Sequence, residues 1–343
     1  MHERVKIMTG FIGYKFSKKM IIAFLSSLVF LQAGIASADT TPDEVFKQLG
    51  FSEQEEKDVL SGQLIKRSPR ERSDQELAVT LSFRINKDAE QLRKNFMQGL
   101  SIDKNEDIVS HQFIKSGKDF PKLQLTAKEQ KEMSRFLDAE PGEELNLSSD
   151  EIKAFNALDK TDAVALKQLF SLLESRYQAY RQGGPAAIEP YQRSAKKQYK
   201  LAEYFSRNRK EVLPALKKSF PEFYKVLNSY PEYKPAGLQD RFLVLKLNIE
   251  GRPAFALEHR MAMQENGAEL MSSSYFYVSQ TLNGQQGLGM LIPSGEDSVA
   301  ILITRASSDA VAGFGSSTKH FIGRQMLADD LSGFYESVQK KYK

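Results

Sequence analysis

Turn signals recur at short intervals between residues 241 and 305, and they constrain the fold more than any other feature of the chain. Asn-Gly occurs at residues 266–267 and 283–284, and glycine or proline-glycine turns occur at 250–253 and 293–295. Asn-Gly supplies the positive φ angles that tight hairpins need. The segments between these turns are rich in β-branched and aromatic residues. They predict five antiparallel strands in a meander, at residues 241–250, 254–264, 269–282, 286–292 and 298–305.

A long amphipathic helix is predicted after residue 317, and it extends to Tyr342. Its apolar side chains are predicted to share one face that packs on the sheet: Phe321, Ile322, Met326, Leu327, Leu331, Phe334, Tyr335 and Val338. Alternation of apolar and polar residues predicts an earlier strand at 76–85, and a second strand is predicted at 107–114. The predicted fold class is α+β, with an antiparallel meander of about five C-terminal strands plus one or two N-terminal strands, gripped by the long C-terminal helix.

Helical patterns fill the rest of the chain. Helices are predicted within residues 43–60, at 87–99, 127–137 and 162–181, after Ser148, at 194–210, and from first-turn prolines at Pro214 and Pro221. The predicted organisation is a signal peptide (1–38), N-terminal helices and the first strands of the core (39–126), a helical insertion (127–235), and the meander with its C-terminal helix (236–343).

The N-terminus has the pattern of a cleavable secretory signal. Lys15, Lys18 and Lys19 precede an apolar run at residues 20–31, and Ala36-Ser37-Ala38 offers the small residues that a signal peptidase reads. The alternative is an uncleaved anchor, but the run is shorter than the roughly 20 residues that span a bilayer. We expect an exported protein, periplasmic if the source has two membranes and secreted otherwise.

Charge and composition exclude several classes of function. The formal net charge is +4, but residues 1–38 hold five basic residues against one acid, and the remainder has 43 of each. A nucleic-acid partner is therefore not expected. The chain has no cysteine and only four histidines, none at metal-ligand spacing, so no metal site and no cofactor is predicted.

Two resemblances to known families carry further expectations. Ser-Asp-Gln-Glu-Leu-Ala-Val at residues 73–79, Tyr-Arg-Gln-Gly-Gly at 180–184 with Pro190-Tyr191, and Ala-Gly-Phe-Gly-Ser-Ser at 312–317 with Lys319-His320 and Gly323-Arg324 make the chain similar to a set of exported bacterial proteins of unassigned function. The order of elements also resembles the helix-grip fold of the START-like, or Bet v 1-like, superfamily. That second resemblance implies binding of lipids.

One candidate binding site is an anion site at the start of the terminal helix. Glycines, two hydroxyls and three basic side chains meet a helix N-terminus there: Ser316, Ser317, Lys319, His320 and Arg324. The alternative is that a serine caps the helix and the glycines only turn the chain. The spacing is not that of a nucleotide-binding P-loop.

A second candidate is His259, which alternation places on an apolar sheet face with Met261 and Met263. It is a structural histidine, a polar group in a ligand cavity, or a general base, in that order of preference. Glu258 and Arg260 fall on the other face, where we expect ion pairs with strand neighbours on a solvated surface. The sheet and the terminal helix are expected to enclose an apolar cavity lined by Phe255, Met261, Met263, Met271, Phe276 and Met290.

Three functions remain open from the sequence. The leading one is non-catalytic binding or carriage of a lipid or another hydrophobic ligand, with a hydrophobic or anionic amphiphilic small molecule and a membrane surface as partners. The alternative is a cell-envelope interaction or assembly factor that docks through the helical block, whose aromatic and basic residues alternate. The third is a serine/histidine hydrolase using His320 or His259, with Ser307, Ser316 and Asp309 as further candidates, but no catalytic residue is assigned.

Overall fold

The computed structural model of the chain describes residues 39–85, 89–99, 108–115, 120, 125–249 and 251–341. The predicted signal peptide, residues 1–38, lies outside them. Within the described residues, no helix combines the length and the apolar character needed to cross a membrane.

A large antiparallel sheet organises the structure. The strands are β1 (Ile65–Arg67), β2 (Glu76–Ile85), β3 (Ile108–Phe113), β4 (Tyr191–Gln192), β5 (Gln198–Tyr199), β6 (Gln239–Ile249), β7 (Arg252–Glu265), β8 (Ala268–Val278), β9 (Gly284–Ser294) and β10 (Asp297–Ser307). Eight of them form one sheet in the order β1-β2-β10-β9-β8-β7-β6-β3, and β4 and β5 form a separate hairpin. Together with the helices described below, this sheet confirms the predicted α+β class.

The sheet joins the two ends of the described chain. β2 pairs antiparallel with β10, with Leu81 opposite Leu302 in the register. The five strands β6 to β10 lie side by side in chain order, and β3 pairs with β6 at the far edge. The N-terminal strands therefore close both sides of the C-terminal strands.

The turns between strands follow the sequence signals in all but one case. Asn266 and Gly267 have φ angles of 47° and 78° between β7 and β8, as a two-residue hairpin requires. The second Asn-Gly is not a hairpin turn, because the positive φ of 67° falls on Thr281. Gly284 instead allows a close approach, since a Cβ atom there would lie 2.4 Å from Leu201 Cδ1. The prediction of a tight turn there is wrong because Gly284 makes room for the packing of Leu201 and does not form a turn.

Nine α-helices lie among the described residues. They are α1 (Pro42–Gln48), α2 (Glu53–Leu60), α3 (Ala89–Gln98), α4 (Ala127–Met133), α5 (Ser149–Asn156), α6 (Asp162–Gly183), α7 (Leu201–Ser219), α8 (Pro221–Ser229) and α9 (Ser316–Lys341). Capping explains several of their starts. At α5 the Ser148 hydroxyl accepts from the Glu151 amide, and the Glu151 carboxylate accepts from the Ser148 amide.

The helical segment around Pro214 differs from its prediction. Residues 194–200 form a turn and the short strand β5 rather than a helix, and α7 then continues through Pro214 without a break. A proline inside a helix removes one backbone hydrogen bond and crowds the carbonyl four residues earlier. Pro214 is exposed, so water can solvate that carbonyl, and the prediction of a helix starting here is wrong.

The two faces of the sheet pack against different helices. We call them the block face and the α9 face. On the block face, Phe242, Leu257 and Met290 share a core cluster with Leu169 of α6, Phe205 of α7 and other helical residues. On the α9 face, side chains of β2, β8, β9 and β10 cluster with residues of α3 and α9: Leu81, Met271, Leu291, Leu302, Leu92, Phe96 and Leu327.

Helix α9 packs on the sheet with part of its predicted apolar face, and two members of that face point outward. A Cβ atom at Gly323 would lie 2.7 Å from Leu77 Cδ1, so the missing side chain lets the helix approach β2. Leu327, one turn further, is buried on the same side. Phe321 and Ile322 point away and are 62% and 44% exposed. The prediction that these two residues pack on the sheet is therefore wrong.

A buried arginine ties the helical block to one end of the sheet. Arg193, after β4, donates from Nε to Asp309 Oδ2 at 2.9 Å. Its Nη2 donates to Asn146 Oδ1 at 2.6 Å and to Asn283 Oδ1 at 2.7 Å, and its Nη1 donates to the Gly142 carbonyl at 3.1 Å. Four segments distant in sequence therefore meet at one guanidinium.

A second ion pair lies inside the α9 face, beneath α3. Glu258 and Arg260 are both fully buried, and Arg260 Nε donates to Glu258 Oε1 at 2.8 Å. Arg260 Nη1 also donates to the Phe96 carbonyl at 2.6 Å, and the Ser273 hydroxyl donates to Glu258. The expectation of a solvated pair was wrong because α3 covers this part of the sheet.

Candidate functional site

The predicted anion site at the start of α9 already holds a carboxylate of the protein itself. Glu71, in the loop between β1 and β2, has its Oε2 2.6 Å from His320 Nδ1 and 2.9 Å from Arg324 Nη1. His320 Nε2 lies 2.8 Å from the Asp74 carbonyl oxygen. These contacts fasten the β1–β2 loop to α9, and we call them the Glu71 clasp.

The other predicted members of that site also have partners nearby. Lys319 Nζ donates to the Ala312 carbonyl at 2.9 Å. The backbone amide of Ser316 bonds to the Gly313 carbonyl, and the amides of Thr318 and Lys319 bond to Gly315. Ser317 is exposed. The structure therefore brings Ser316, Ser317, Lys319, His320 and Arg324 together, but Glu71 and nearby backbone carbonyls already engage the three basic side chains.

The hydrolase candidates do not form a catalytic arrangement. A general base needs one free ring nitrogen beside a nucleophile, but both ring nitrogens of His320 are engaged in the clasp. Asp309 binds Arg193 and the Gln75 side chain rather than a histidine. Ser307 is buried in β10. This geometry favours a structural role for all three residues.

His259 lies in a closed aromatic environment on the block face. Its ring stacks on Phe242 at a centroid distance of 4.4 Å, and its Nδ1 is 3.1 Å from the Tyr180 hydroxyl. Its Nε2 is 3.9 Å from Asp240 Oδ2. Burial lowers the pKa of His259 to about 3, so the ring is neutral near pH 7 and the Tyr180 hydroxyl donates to it.

Met261 and Met263 are buried in the same core as His259 and do not meet the residues at the start of α9. Both methionines belong to the cluster that the helical block fills, whereas α9 packs on the opposite face. Met271, expected beside them, lies on the α9 face. The predicted cavity residues are thus divided between two separately packed layers.

The buried state of His259 predicts a pH dependence of stability. The ring stays neutral in the folded protein and takes up a proton in the unfolded chain below pH 6.5, so stability is lost as the pH falls from 6.5 toward 3. Between pH 7.5 and 5.0 the wild type should lose about 2 kcal/mol more than His259→Phe. Urea unfolding of both proteins at both pH values measures this difference. Equal losses would contradict the assignment.

A pocket that the sequence did not reveal lies on the block face beside β10. Its volume is about 270 Å³, and it is formed by the end of α1, the β1–β2 loop and neighbouring positions of β2 and β10. Its lining contains no carboxylate among the described residues. It combines apolar side chains (Leu49, Phe51, Pro69 and Ile303), neutral polar side chains (Gln48, Ser68 and Thr80) and three arginines (Arg67, Arg70 and Arg305). We call it the Arg305 pocket.

Arg305 is the buried cation of this pocket. It is 3% exposed, and its Nη1 donates to Glu76 Oε1 at 2.6 Å while its Nη2 donates to the Arg70 carbonyl at 3.1 Å. Its Nε–H has no acceptor among the described residues. A buried donor without an acceptor costs free energy.

The two outer arginines differ in how they are held. Arg67 donates to the Gly50 carbonyl at 2.8 Å, lies 4.3 Å over the Phe51 ring and is 3.4 Å from Glu55. Arg70 is exposed and makes no ion pair within the described residues. Arg67 is therefore fixed as part of the pocket wall, whereas the Arg70 guanidinium is free to contact a ligand.

Comparison of the chain with known proteins finds no matching family model, no matching curated protein and no matching solved structure. No group of three acidic or histidine side chains able to hold a metal occurs within the described ranges.

Proposed function

We propose that this chain is a non-catalytic binding protein that holds a small anionic amphiphile in the Arg305 pocket. The observation that carries the proposal is the buried Arg305, whose Nε–H lacks an acceptor among the described residues beside a pocket that is apolar on one side. Charge-assisted hydrogen bonds from guanidinium to carboxylate or phosphate are among the strongest available to a protein.

The pocket chemistry supports a ligand with two different ends. An acidic head group would accept from Arg305 and Arg70, with the Ser68 and Thr80 hydroxyls beside it. A short apolar portion would lie against Leu49, Phe51 and Ile303, which line the same pocket. A volume of about 270 Å³ is smaller than most drug-sized sites, so a short acyl or alkyl chain fits better than a complete diacyl lipid.

The same proposal includes a helix-grip arrangement and an exported location. In its support, α9 packs along β2 while β6 to β10 follow one another across the sheet. The large helical block covers the opposite face. Export is proposed from the lysines, apolar run and small residues of positions 1–38. The resemblance to exported bacterial proteins agrees with it.

Ligand selectivity tests this function. We expect n-octyl phosphate to bind the wild type in calorimetric titration, and octanol to bind much more weakly because it lacks the charge. Arg70→Glu should weaken octyl phosphate binding by roughly 10- to 100-fold. Arg70 is exposed and makes no ion pair with the part of the chain that the structure describes, so the free energy of unfolding should stay within about 0.5 kcal/mol of the wild type.

Arg252→Glu is the matched control for this experiment. Arg252 is also an exposed arginine, but it lies at the β6–β7 turn, separated from the pocket strands by β8 and β9. It should bind octyl phosphate like the wild type. Equal weakening in both variants, or equal affinity for octanol, would contradict the proposal.

Native mass spectrometry of protein from an envelope fraction should show a co-purified acidic amphiphile. Bare protein in several preparations would favour the assembly-factor alternative.

A further inference from the structure

Three large apolar side chains at the start of α9 face outward. Phe314 is fully exposed, and Phe321 and Ile322 are 62% and 44% exposed. Ser317 and Thr318, also exposed, lie between them in sequence. We call this surface the α9 patch. It belongs neither to the sheet nor to the Arg305 pocket.

Phe314 lies at the tip of a protruding loop. Its neighbours Gly313 and Gly315 have φ angles of 77° and 76°, a conformation that other residues rarely adopt. A Cβ atom at either glycine would have nothing within 4 Å. The backbone therefore presents this phenylalanine away from the rest of the molecule.

Charge around the patch is predominantly positive. Lys319 and Arg324 lie on the first turns of α9, and the Glu71 clasp brings the β1–β2 loop, with Arg70 and Arg72, to the same place. The carboxylates in these segments are Glu71, which the clasp neutralises, and Asp74. Cations beside protruding aromatic and aliphatic side chains suit a surface of anionic lipids.

We infer that the α9 patch docks the protein on the surface of an anionic lipid bilayer, with Phe314, Phe321 and Ile322 inserted at the interface. A bilayer accepts a protruding side chain without a matching pocket. A stable protein partner needs about 800 Å² on each side, much more than three side chains provide. The inference does not require a ligand in the Arg305 pocket, although Arg70 lines that pocket and also adds positive charge beside the patch.

Vesicle binding tests the inference directly. We expect the wild type to co-float with phosphatidylcholine vesicles containing about a third phosphatidylglycerol, and far less with phosphatidylcholine alone. The triple variant Phe314→Ser/Phe321→Ser/Ile322→Ser should bind anionic vesicles roughly tenfold or more weakly. Intact mass should show the same N-terminus in every preparation, so that residues 1–38 cannot account for a difference.

Val109→Ser is the matched control, since Val109 is 50% exposed on β3 at the opposite edge of the sheet. It should bind vesicles like the wild type. The chain contains no tryptophan, so Phe314→Trp provides a single reporter whose emission should shift to the blue on anionic vesicles and be quenched by shallow brominated lipids.

Three outcomes would overturn the inference: wild-type binding no stronger than that of the triple variant, unchanged Phe314→Trp emission on vesicles, or a wild-type dimer that the triple variant converts to a monomer in light scattering. The last would assign the patch to a second copy of the chain. Octyl phosphate titration of the triple variant separates the two proposals, because pocket binding should be unchanged even where docking is lost.

Discussion

Arg193→Met is expected to lower the free energy of unfolding by about 3–5 kcal/mol, because it leaves buried Asp309 without its counter-charge. The variant also removes the donor to the side-chain oxygens of Asn146 and Asn283. Methionine approximates the length of the arginine stem, so lost packing contributes little. Urea unfolding followed by circular dichroism measures the difference.

Lys196→Met provides the control for this prediction. Lys196 is an exposed cation in the same turn between β4 and β5, and its loss should change stability by less than about 0.5 kcal/mol. Arg193 joins the helical block to the end of the sheet. The Arg193→Met variant should still unfold in one transition, but at a lower urea midpoint. A loss below about 1 kcal/mol would show that the network does not hold the two parts together.

Arg260→Met should have an effect of similar size, about 3–5 kcal/mol, because Glu258 would remain buried and charged beneath α3. Replacing both partners, in Glu258→Met/Arg260→Met, should recover a large part of the loss, since no unpaired charge remains. The Phe96 carbonyl and Ser273 hydroxyl would still lack their present partners, so recovery should be incomplete.

Arg241→Met separates the effect of burial from that of a missing arginine. Arg241 lies opposite Arg260 in the register of β6 and β7, but it is exposed. The Arg241→Met substitution should lower the free energy of unfolding by less than about 1 kcal/mol in the same urea experiment. If the double variant is as unstable as Arg260→Met alone, the buried charge of Glu258 is not the cause.

Local patterns were enough to predict most strands and helices of this chain. Alternation over residues 76–85 gave β2 with its observed bounds, and Ser148 marked the start of α5. Both signals depend on neighbours within a few residues. The Asn283-Gly284 dipeptide misled the turn prediction because Leu201, far away in the sequence, packs against that glycine.

The candidate site was harder to predict, for the same physical reason. The Arg305 pocket draws on α1, the β1–β2 loop, β2 and β10, and only the pairing of β2 with β10 brings these segments together. The residues at the start of α9 were recognised as a cluster, but Glu71, which engages two of them, lies in another segment of the chain. Charge patterns in one segment could not show that its counter-charge was supplied by another.

The pairing of β2 with β10 also governs the order in which the molecule can assemble. Ser82 on β2 donates to the Ala300 carbonyl on β10, 218 positions away in the sequence. During synthesis β2 therefore lacks its sheet neighbour until β10, 218 positions later, has emerged. Closing so long a loop slows folding. A chain whose sheet remains open this long is vulnerable to aggregation.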